Sequence, residues 1–416
     1  MRKAISLLLC LVLIGLTAGC MAQDAPKSAS ASAEPSASAE PTPTATPSTQ
    51  DASLDLISDV LLQSEAFSIR LLQNGVAADT SGNTVFSPLG VSAALAALYL
   101  GSAGETAEEL RALAGFTAEA EDVLSALASF SSDATGTQLV ISDRYSLSDS
   151  YVQALSAAGM RCVSASLGSA EGTGQLNAAA ALYSQAFADA FETTTPSESL
   201  LVLTGSAPSL AFDTPFPALE RFQGLFESPD GLVPCDFLYS EGDLPYYEDE
   251  RVQICAVPMD GGQTELLLIL PKGDSMSDTL ELLGQYGGDW IGADDLQAYP
   301  VRLTLPALSL TQNASLLENL LSMGLSLPFN QTAADFSPML AESFPLSLSG
   351  FYTLTELNIS ETGINHDGQA PQEANFNSSE AGADMLLDRP FLLALRSKSS
   401  GAPLLLAWIN TPKSAL

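Results

Sequence analysis

The amino-acid sequence predicts an α+β fold in which helices come first and strands later. Apolar residues recur at helical spacing through the first part of the folded region, while short apolar runs bounded by Gly and Pro dominate the later part. The two kinds of segment are segregated rather than alternating, as parallel βαβ units would require. Hydrophobic residues make up 46% and charged residues 15% of the 416, so the chain can bury a large core.

Residues 1–20 read MRKAISLLLCLVLIGLTAGC. Arg2 and Lys3 give a positive start, and the apolar stretch that follows is too short for a stable membrane span. Thr17-Ala18-Gly19 are small residues directly before Cys20, which resembles the lipobox of bacterial lipoproteins. Residues 1–19 are therefore expected to be a lipoprotein signal peptide. The resemblance implies that the Cys20 thiol carries lipid and that the protein is anchored on the extracellular face of a bacterial cell membrane. Residues 20–54 are then a tether. They repeat SASAEP in tandem and continue with Pro, Thr and Ser, offering no apolar face to bury. A coil of that length reaches on the order of 30 Å.

The folded domain is expected over 55–416. Leu61, Leu62, Phe67, Ile69, Leu71 and Leu72 lie at helical spacing, with Gly75 as the stop. Thr84-Val85-Phe86 reads as a strand halted by Ser87-Pro88, and Val91–Leu100 as a helix closed by Gly101. A further helix opens at Gly104-Glu105-Thr106, with Thr106 as N-cap and Glu109 three residues on. Later, Gln263–Leu270 is a buried strand run and Arg302–Leu305 a short alternating one. Residues 314–324 read as an amphipathic helix. Phe391–Leu395 and Pro403–Ile409 form a hairpin around Ser399-Ser400-Gly401.

Composition excludes several functions. Asp and Glu total 49 against 15 Lys and Arg, which argues against nucleic acid and against electrostatic docking on anionic lipid. The one histidine, His366, cannot supply the common triads or a His-rich metal site, and no lysine stands three residues after a serine. No catalysis, cofactor or metal is expected. Cys235 and Cys255 could pair if their strands are neighbours; free buried thiols, with Cys162, are the simpler expectation.

Four blocks of sequence, in order, resemble the serpin family. They are Asn83–Ser92 with Gly101–Thr106; Val257-Pro258-Met259 with Leu266–Pro271; Leu303–Pro306 through Leu320–Gly324, Pro328-Phe329 and Ala334-Asp335-Phe336-Ser337; and Asp388-Arg389-Pro390-Phe391-Leu392. The resemblance covers roughly 55–412. It implies three β-sheets, about nine helices and an exposed reactive-centre loop. A protease cleaves that loop while forming its acyl-enzyme. The cut loop then inserts as a new central strand, and the protease is trapped, so the inhibitor acts as a suicide substrate.

The same resemblance places the loop at about Asn365 to Asp388. It gives a hinge at Asn365-His366-Asp367-Gly368 continuing through Gln369, Ala370 and Pro371, and a scissile bond near Gly382-Ala383. Ser379, Ala381 and Gly382 would suit an elastase- or subtilisin-like protease, and Met385-Leu386 a chymotrypsin-like one. Counted this way, the inserting strand would turn Gln369, Pro371, Glu373 and Asn375 inward. Proline cannot donate to a central strand and an unpaired buried carboxylate is costly, so a non-inhibitory binding or decoy module is the alternative. Ser87, Gly90 and Asn358 fall at the region implied to open the sheet, with Gly90 in place of a serine and Asn358 near a usual histidine. The expected partner is an exogenous serine protease. Nucleic acid is not expected, membrane contact is through the lipid alone, and the domain is expected to be a monomer.

Overall fold

The structure, a computed structural model, describes residues 49–130, 135–273, 275–292, 296–342, 344–372 and 382–412. The expected signal peptide, Cys20, most of the expected tether and residues 373–381 lie outside the described residues. The compact unit runs from Pro47 to Leu416.

Helix α1 (Thr49–Ala78) opens the chain, followed by β1 (Thr84–Phe86), α2 (Pro88–Leu100), α3 (Gly104–Ala114) and α4 (Ala120–Ala128). Then come β2 (Thr135–Ser142), α5 (Asp149–Ala157), β3 (Arg161–Ala165) and α6 (Ala170–Ala180). The strand-rich part holds β4 (Leu200–Ser206), β5 (Leu210–Ala211), β6 (Phe222–Ser228), β7 (Gly231–Glu248), β8 (Val252–Met259) and β9 (Thr264–Pro271). After α7 (Met276–Gly292) follow β10 (Gln297–Pro306), β11 (Leu308–Ser315), α8 (Leu317–Ser322), β12 (Leu348–Ser360) and β13 (Gly363–Ile364). The chain closes with β14 (Ala383–Leu386), β15 (Phe391–Ser397) and β16 (Pro403–Ile409).

These strands form two hydrogen-bonded sheets. The nine-stranded one runs β1-β16-β15-β9-β8-β7-β10-β14 with β6 also on β7, and the seven-stranded one runs β3-β2-β4-β12-β13-β5 with β11 also on β12. Three sheets were expected. The third is the continuation of the first, because one length of β7 pairs with β6 and β10 and its last residues pair with β8. Eight α-helices are present among the described residues, against about nine expected.

The seven-stranded sheet is covered on both faces. Leu176, Ala180 and Phe187 pack on Val140, Leu201, Leu203 and Leu354 on one side. On the other, Leu139, Val202 and Phe351 join the cluster of α1 and α2 residues such as Phe67, Leu95 and Leu98. A strand covered on both faces is buried along its whole length, as β4 is, and Leu200–Leu203 is an unbroken apolar run.

The sequence blocks earn their composition through contacts with one another. The Asn83 side chain accepts from the N–H groups of Asn410 (2.8 Å) and Thr411 (3.0 Å), tying β1 to the end of the C-terminal hairpin. Ala103 N–H donates to the Asp335 carbonyl at 3.0 Å, and the Thr106 hydroxyl accepts from Asp335 N–H at 3.0 Å. The second half of the first block thus meets the Ala334–Ser337 run directly.

Four local expectations are corrected. Helix α1 starts at Thr49 and passes through Gly75 to Ala78. Gly75 is there for space, since a Cβ would come within 2.8 Å of Thr84 Cγ2. Thr106 is not a cap: α3 begins at Gly104, and both Thr106 and Glu109 serve other segments, Glu109 accepting from Ser326 and Leu327 N–H. Residues 314 and 315 are strand, pairing with Thr353 and Tyr352, so the helix expected over 314–324 is confined to α8. β10 also extends well beyond Arg302–Leu305 because it pairs with β7 from Gln297 to Pro306.

Cys162, Cys235 and Cys255 are free thiols, and burial raises them to about 11, 11 and 12, keeping them protonated.

Inside the nine-stranded sheet Arg396 faces Glu265 across β15 and β9, with Nη2 2.5 Å from Oε1 and side-chain exposures of 11% and 5%. Arg396 also donates to the carbonyls of Ile291 (2.8 Å) and Gly292, the last residues of α7. Removing one partner strands the other charge. Arg396→Met is expected to lower unfolding stability by about 3–5 kcal/mol in urea denaturation, and adding Glu265→Leu is expected to recover most of that loss.

Candidate functional site

β4 and β12 run parallel and directly paired, from Leu200 opposite Leu348 to Ser206 opposite Thr355, with no strand between them. Beyond that point they part. β4 ends at Ser206, bends through Ala207-Pro208-Ser209 and resumes as β5. Pro208 has no N–H, so the bend cannot carry a regular ladder. β12 continues to Ser360, and the chain turns at Glu361-Thr362 and comes back as β13.

β13 fills the fork. It pairs antiparallel with β12, Ile359 to Ile364 and Ser360 to Gly363, and antiparallel with β5, Gly363 to Ala211 and Ile364 to Leu210. Ile364 is 0% exposed and packs with Leu308, Leu310, Leu357 and Ile359. Gly363 has φ 150°, and a Cβ there would overlap the Leu210 carbonyl, so only glycine lets the two backbones approach.

At Asn365 the chain leaves the sheet, with φ 44°. The Thr362 hydroxyl donates to the His366 carbonyl at 2.8 Å, holding the exit over the hairpin turn. Further on, Ala218 N–H donates to the Pro371 carbonyl (2.8 Å) and Leu219 N–H to the Gln372 carbonyl (3.2 Å). Gly368, Gln369, Ala370 and Pro371, the expected hinge continuation, therefore lie outside the sheet, with Gly368, Gln369 and Pro371 exposed. The strand before the loop ends at Ser360, several residues ahead of the expected hinge at 365–368.

Beside the fork is a cavity lined by Tyr183, Ser184, Ser209, Glu356, Asn358 and His366. The Asn358 Oδ1 and His366 Nδ1 atoms are buried and without a partner. The Tyr183 ring lies against Gly205, where a Cβ would overlap it, and its hydroxyl donates to the Leu203 carbonyl at 3.1 Å.

The other end of the loop is held differently. Gly382 follows the undescribed segment, and Ala383 opens β14, which pairs parallel with β10 from Val301–Ala383 to Thr304–Leu386. The Arg302 guanidinium grips both Asp384 carboxylate oxygens and holds that carboxyl below the usual aspartate range. Gln253 donates to the Asp384 carbonyl at 3.0 Å. Met385 is 0% exposed. The expected Gly382-Ala383 bond thus lies at the mouth of a paired strand. The Met385-Leu386 option is closed in this state, because a protease needs several extended, accessible residues.

Ser87 and Gly90 do lie together beneath the seven-stranded sheet. The Ser87 hydroxyl accepts from Gly90 N–H at 3.2 Å as the N-cap of α2, and the Thr137 hydroxyl donates to the Gly90 carbonyl at 3.0 Å. A Cβ on Gly90 would come within 3.6 Å of Thr204 Cβ. Asn358 is not part of this group. It sits near the far end of β12 opposite Ser309, with its side-chain amide on Glu356 at 3.0 Å. The β12 residue level with this group is Thr353, which pairs with Thr204 and whose hydroxyl donates to the Ala314 carbonyl at 3.5 Å. Thr137, Thr353, Gly363 and Ile364 were not read from the sequence as site residues. One signal was present: Ser360-Glu361-Thr362-Gly363, like Asn365-His366-Asp367-Gly368 five residues later, is three polar residues including one acid and then a glycine.

Comparison with known proteins agrees with this geometry. The family model for Serpin (serine protease inhibitor) matches residues 62–412. Serpin B10 of Sorex araneus is 28% identical over 173 residues, 41% of this chain and 43% of the relative. The macrophage plasminogen activator inhibitor 2 of Mus musculus is 28% identical over 181 residues, 42% of this chain and 43% of the relative. The chain thus aligns with about two fifths of the length of these curated relatives. Among solved structures, the thermophilic serpin tengpin in its native state superposes with a TM-score of 0.76 at 20% identity, covering 84% of this chain and 94% of that one. The mouse protein-Z dependent protease inhibitor superposes with a TM-score of 0.74 at 19% identity, covering 87% and 99%. At these identities the structural likeness speaks for the fold, and the family model spanning nearly all of the folded unit speaks for descent: the chain belongs to the serpin family.

Proposed function

We propose that this serpin is a trapping inhibitor of an exogenous serine protease, held by a lipid on Cys20 at the outer face of a bacterial membrane. The observation that carries the reading is the register of β13. Side chains alternate along a strand, so Ile364 fixes which residues of an advancing loop turn into the core. The inward set is then Ile364, His366, Gly368, Ala370, Gln372 and Ala374. Gln369, Pro371, Glu373 and Asn375 fall on the opposite face, away from the packing around Ile364.

This takes Gln369, Pro371 and Glu373 off the face that packs around Ile364 and turns them to the face covered by Leu176, Ala180 and Phe187. Gly368, Ala370 and Ala374 are small enough to slide past Thr353, Leu357 and their neighbours, and Glu373 keeps its charge off that side. Pro371 still forfeits one ladder bond, worth about 1 kcal/mol, which is a small fraction of what a new central strand gains.

The same shift moves the hinge glycine from Gly368 to Gly363 and, by the same spacing, the scissile bond from Gly382-Ala383 to Asn377-Ser378. That bond lies among residues 373–381, outside the described residues, between the anchors at Gln372 and Ala383. Phe376-Asn377-Ser378-Ser379 would suit chymotrypsin- or subtilisin-like proteases. Pro371, together with the polar His366 and Gln372 of the inward set, favours the alternative, a decoy that is cut without trapping.

Two results test this. Incubating the protein with chymotrypsin-, subtilisin-, elastase- and trypsin-like proteases is expected to give a complex that survives denaturing electrophoresis, with the cut within 376–379 by mass. Cleavage that leaves every protease active contradicts it. The register makes a sharper claim: Ala370→Arg puts a cation on the face that packs around Ile364 and is expected to raise the moles of inhibitor consumed per protease trapped by at least about tenfold, and at least about threefold more than Gln369→Arg does. Equal effects, or the reverse order, would refute the register.

A further inference from the structure

The ladder between β12 and β13 pairs Ile359 with Ile364 and Ser360 with Gly363. Its next hydrogen-bonded pair is Asn358 with Asn365. Half of that pair is regular: Asn365 N–H donates to the Asn358 carbonyl at 2.8 Å. The other half is not. In a continuing strand Asn358 N–H would donate to the Asn365 main-chain carbonyl, and the Glu356 carbonyl would accept from the N–H of residue 367. Here Asn358 N–H donates to Asn365 Oδ1 at 2.9 Å, and Asn365 Nδ2 donates to the Glu356 carbonyl at 2.8 Å.

A carboxamide carries the same carbonyl acceptor and N–H donor as a peptide group. The Asn365 side chain therefore stands in for the peptide groups of the next step of insertion. Its second N–H donates to the Pro208 carbonyl at 3.0 Å, bridging the fork to the strand on the other side. The backbone meanwhile turns into the left-handed region, where asparagine is among the least strained non-glycine residues.

We infer that the Asn365 side chain is the stop that parks the loop two residues into the sheet. For the strand to advance, three side-chain hydrogen bonds must break and Asn365 must rotate to an extended conformation before the main chain of residues 365–367 can take over the same partners. The bonds lost on the way are regained at the end. The device thus slows advance without weighting the final state, and it releases once the cut loop is free to swing inward. The inference rests on the reading of this loop as an inserting strand.

The test uses Asn365→Gly, which keeps the left-handed backbone and removes the carboxamide, and Asn365→Asp, which keeps the acceptor for Asn358 N–H and loses both donors. In the uncleaved protein, hydrogen exchange at Asn358 N–H is expected to be at least about tenfold faster in the Gly variant, with exchange of β12 residues paired to β4 unchanged. After the loop is cut by added subtilisin, both variants are expected to reach the heat-resistant form at least threefold faster than the parent. Unchanged exchange at Asn358 in the Gly variant overturns the contact. Faster exchange with equal rates of gain in heat resistance overturns the stop while leaving the insertion reading intact. A parent that gains no heat resistance on cleavage overturns the insertion reading and the stop with it.

Discussion

β4 and β12 are hydrogen-bonded to each other as far as Ser206 and Thr355 and separated beyond, and the rest of the molecule is arranged around that partial pairing. Parallel strands with two covered faces are buried and apolar, so their separation cannot be open to water along its whole length. The structure confines it to one end. Below, Thr137, Thr204, Thr353, Ser87 and Gly90 close the sheet against α2 with hydroxyls and small side chains. Above, Pro208 deprives one strand of a donor, and Gly363 and Ile364 occupy the gap.

The described ends of the segment between β13 and β14 are held by unlike interactions. At its start the chain is built into a sheet with Ile364 fully buried and the exit residue bonded through its side chain. At its end a four-residue strand lies on the edge of the other sheet, fixed by Met385 beneath and the Arg302–Asp384 pair above. An exposed ion pair contributes little by itself, so the end anchor depends on burial of Met385 and the ladder to β10. On the proposed mechanism, a cut between the anchors would free the first to extend into the sheet and leave the second in place.

Much of this was legible in the sequence. The four blocks identified the fold because several of their polar residues make specific bonds that the fold requires: Asn83 with Asn410, Thr106 with Asp335, Ser87 at the head of α2. What was not legible depended on pairing across distance. Asn365-His366-Asp367-Gly368 and Ser360-Glu361-Thr362-Gly363 have similar chemistry, and only the approach of Leu210 to Gly363 distinguishes them. The same five-residue offset placed Asn358, rather than Thr353, in the region beneath the sheet. β11 was hidden for a related reason, since its exposed polar residues pair with β12 while the apolar spacing that follows it suggested a longer helix.

The register set by Ile364 decides which side chains an inserting loop would bury, and the most direct measurement of it is a crystal structure of the protein after cleavage of its loop. A new antiparallel strand between β4 and β12, with His366, Gly368 and Ala370 facing the core alongside Ile364, is the predicted result. A seven-stranded sheet unchanged by cleavage, or a new strand with Gln369 and Pro371 turned inward, would contradict it.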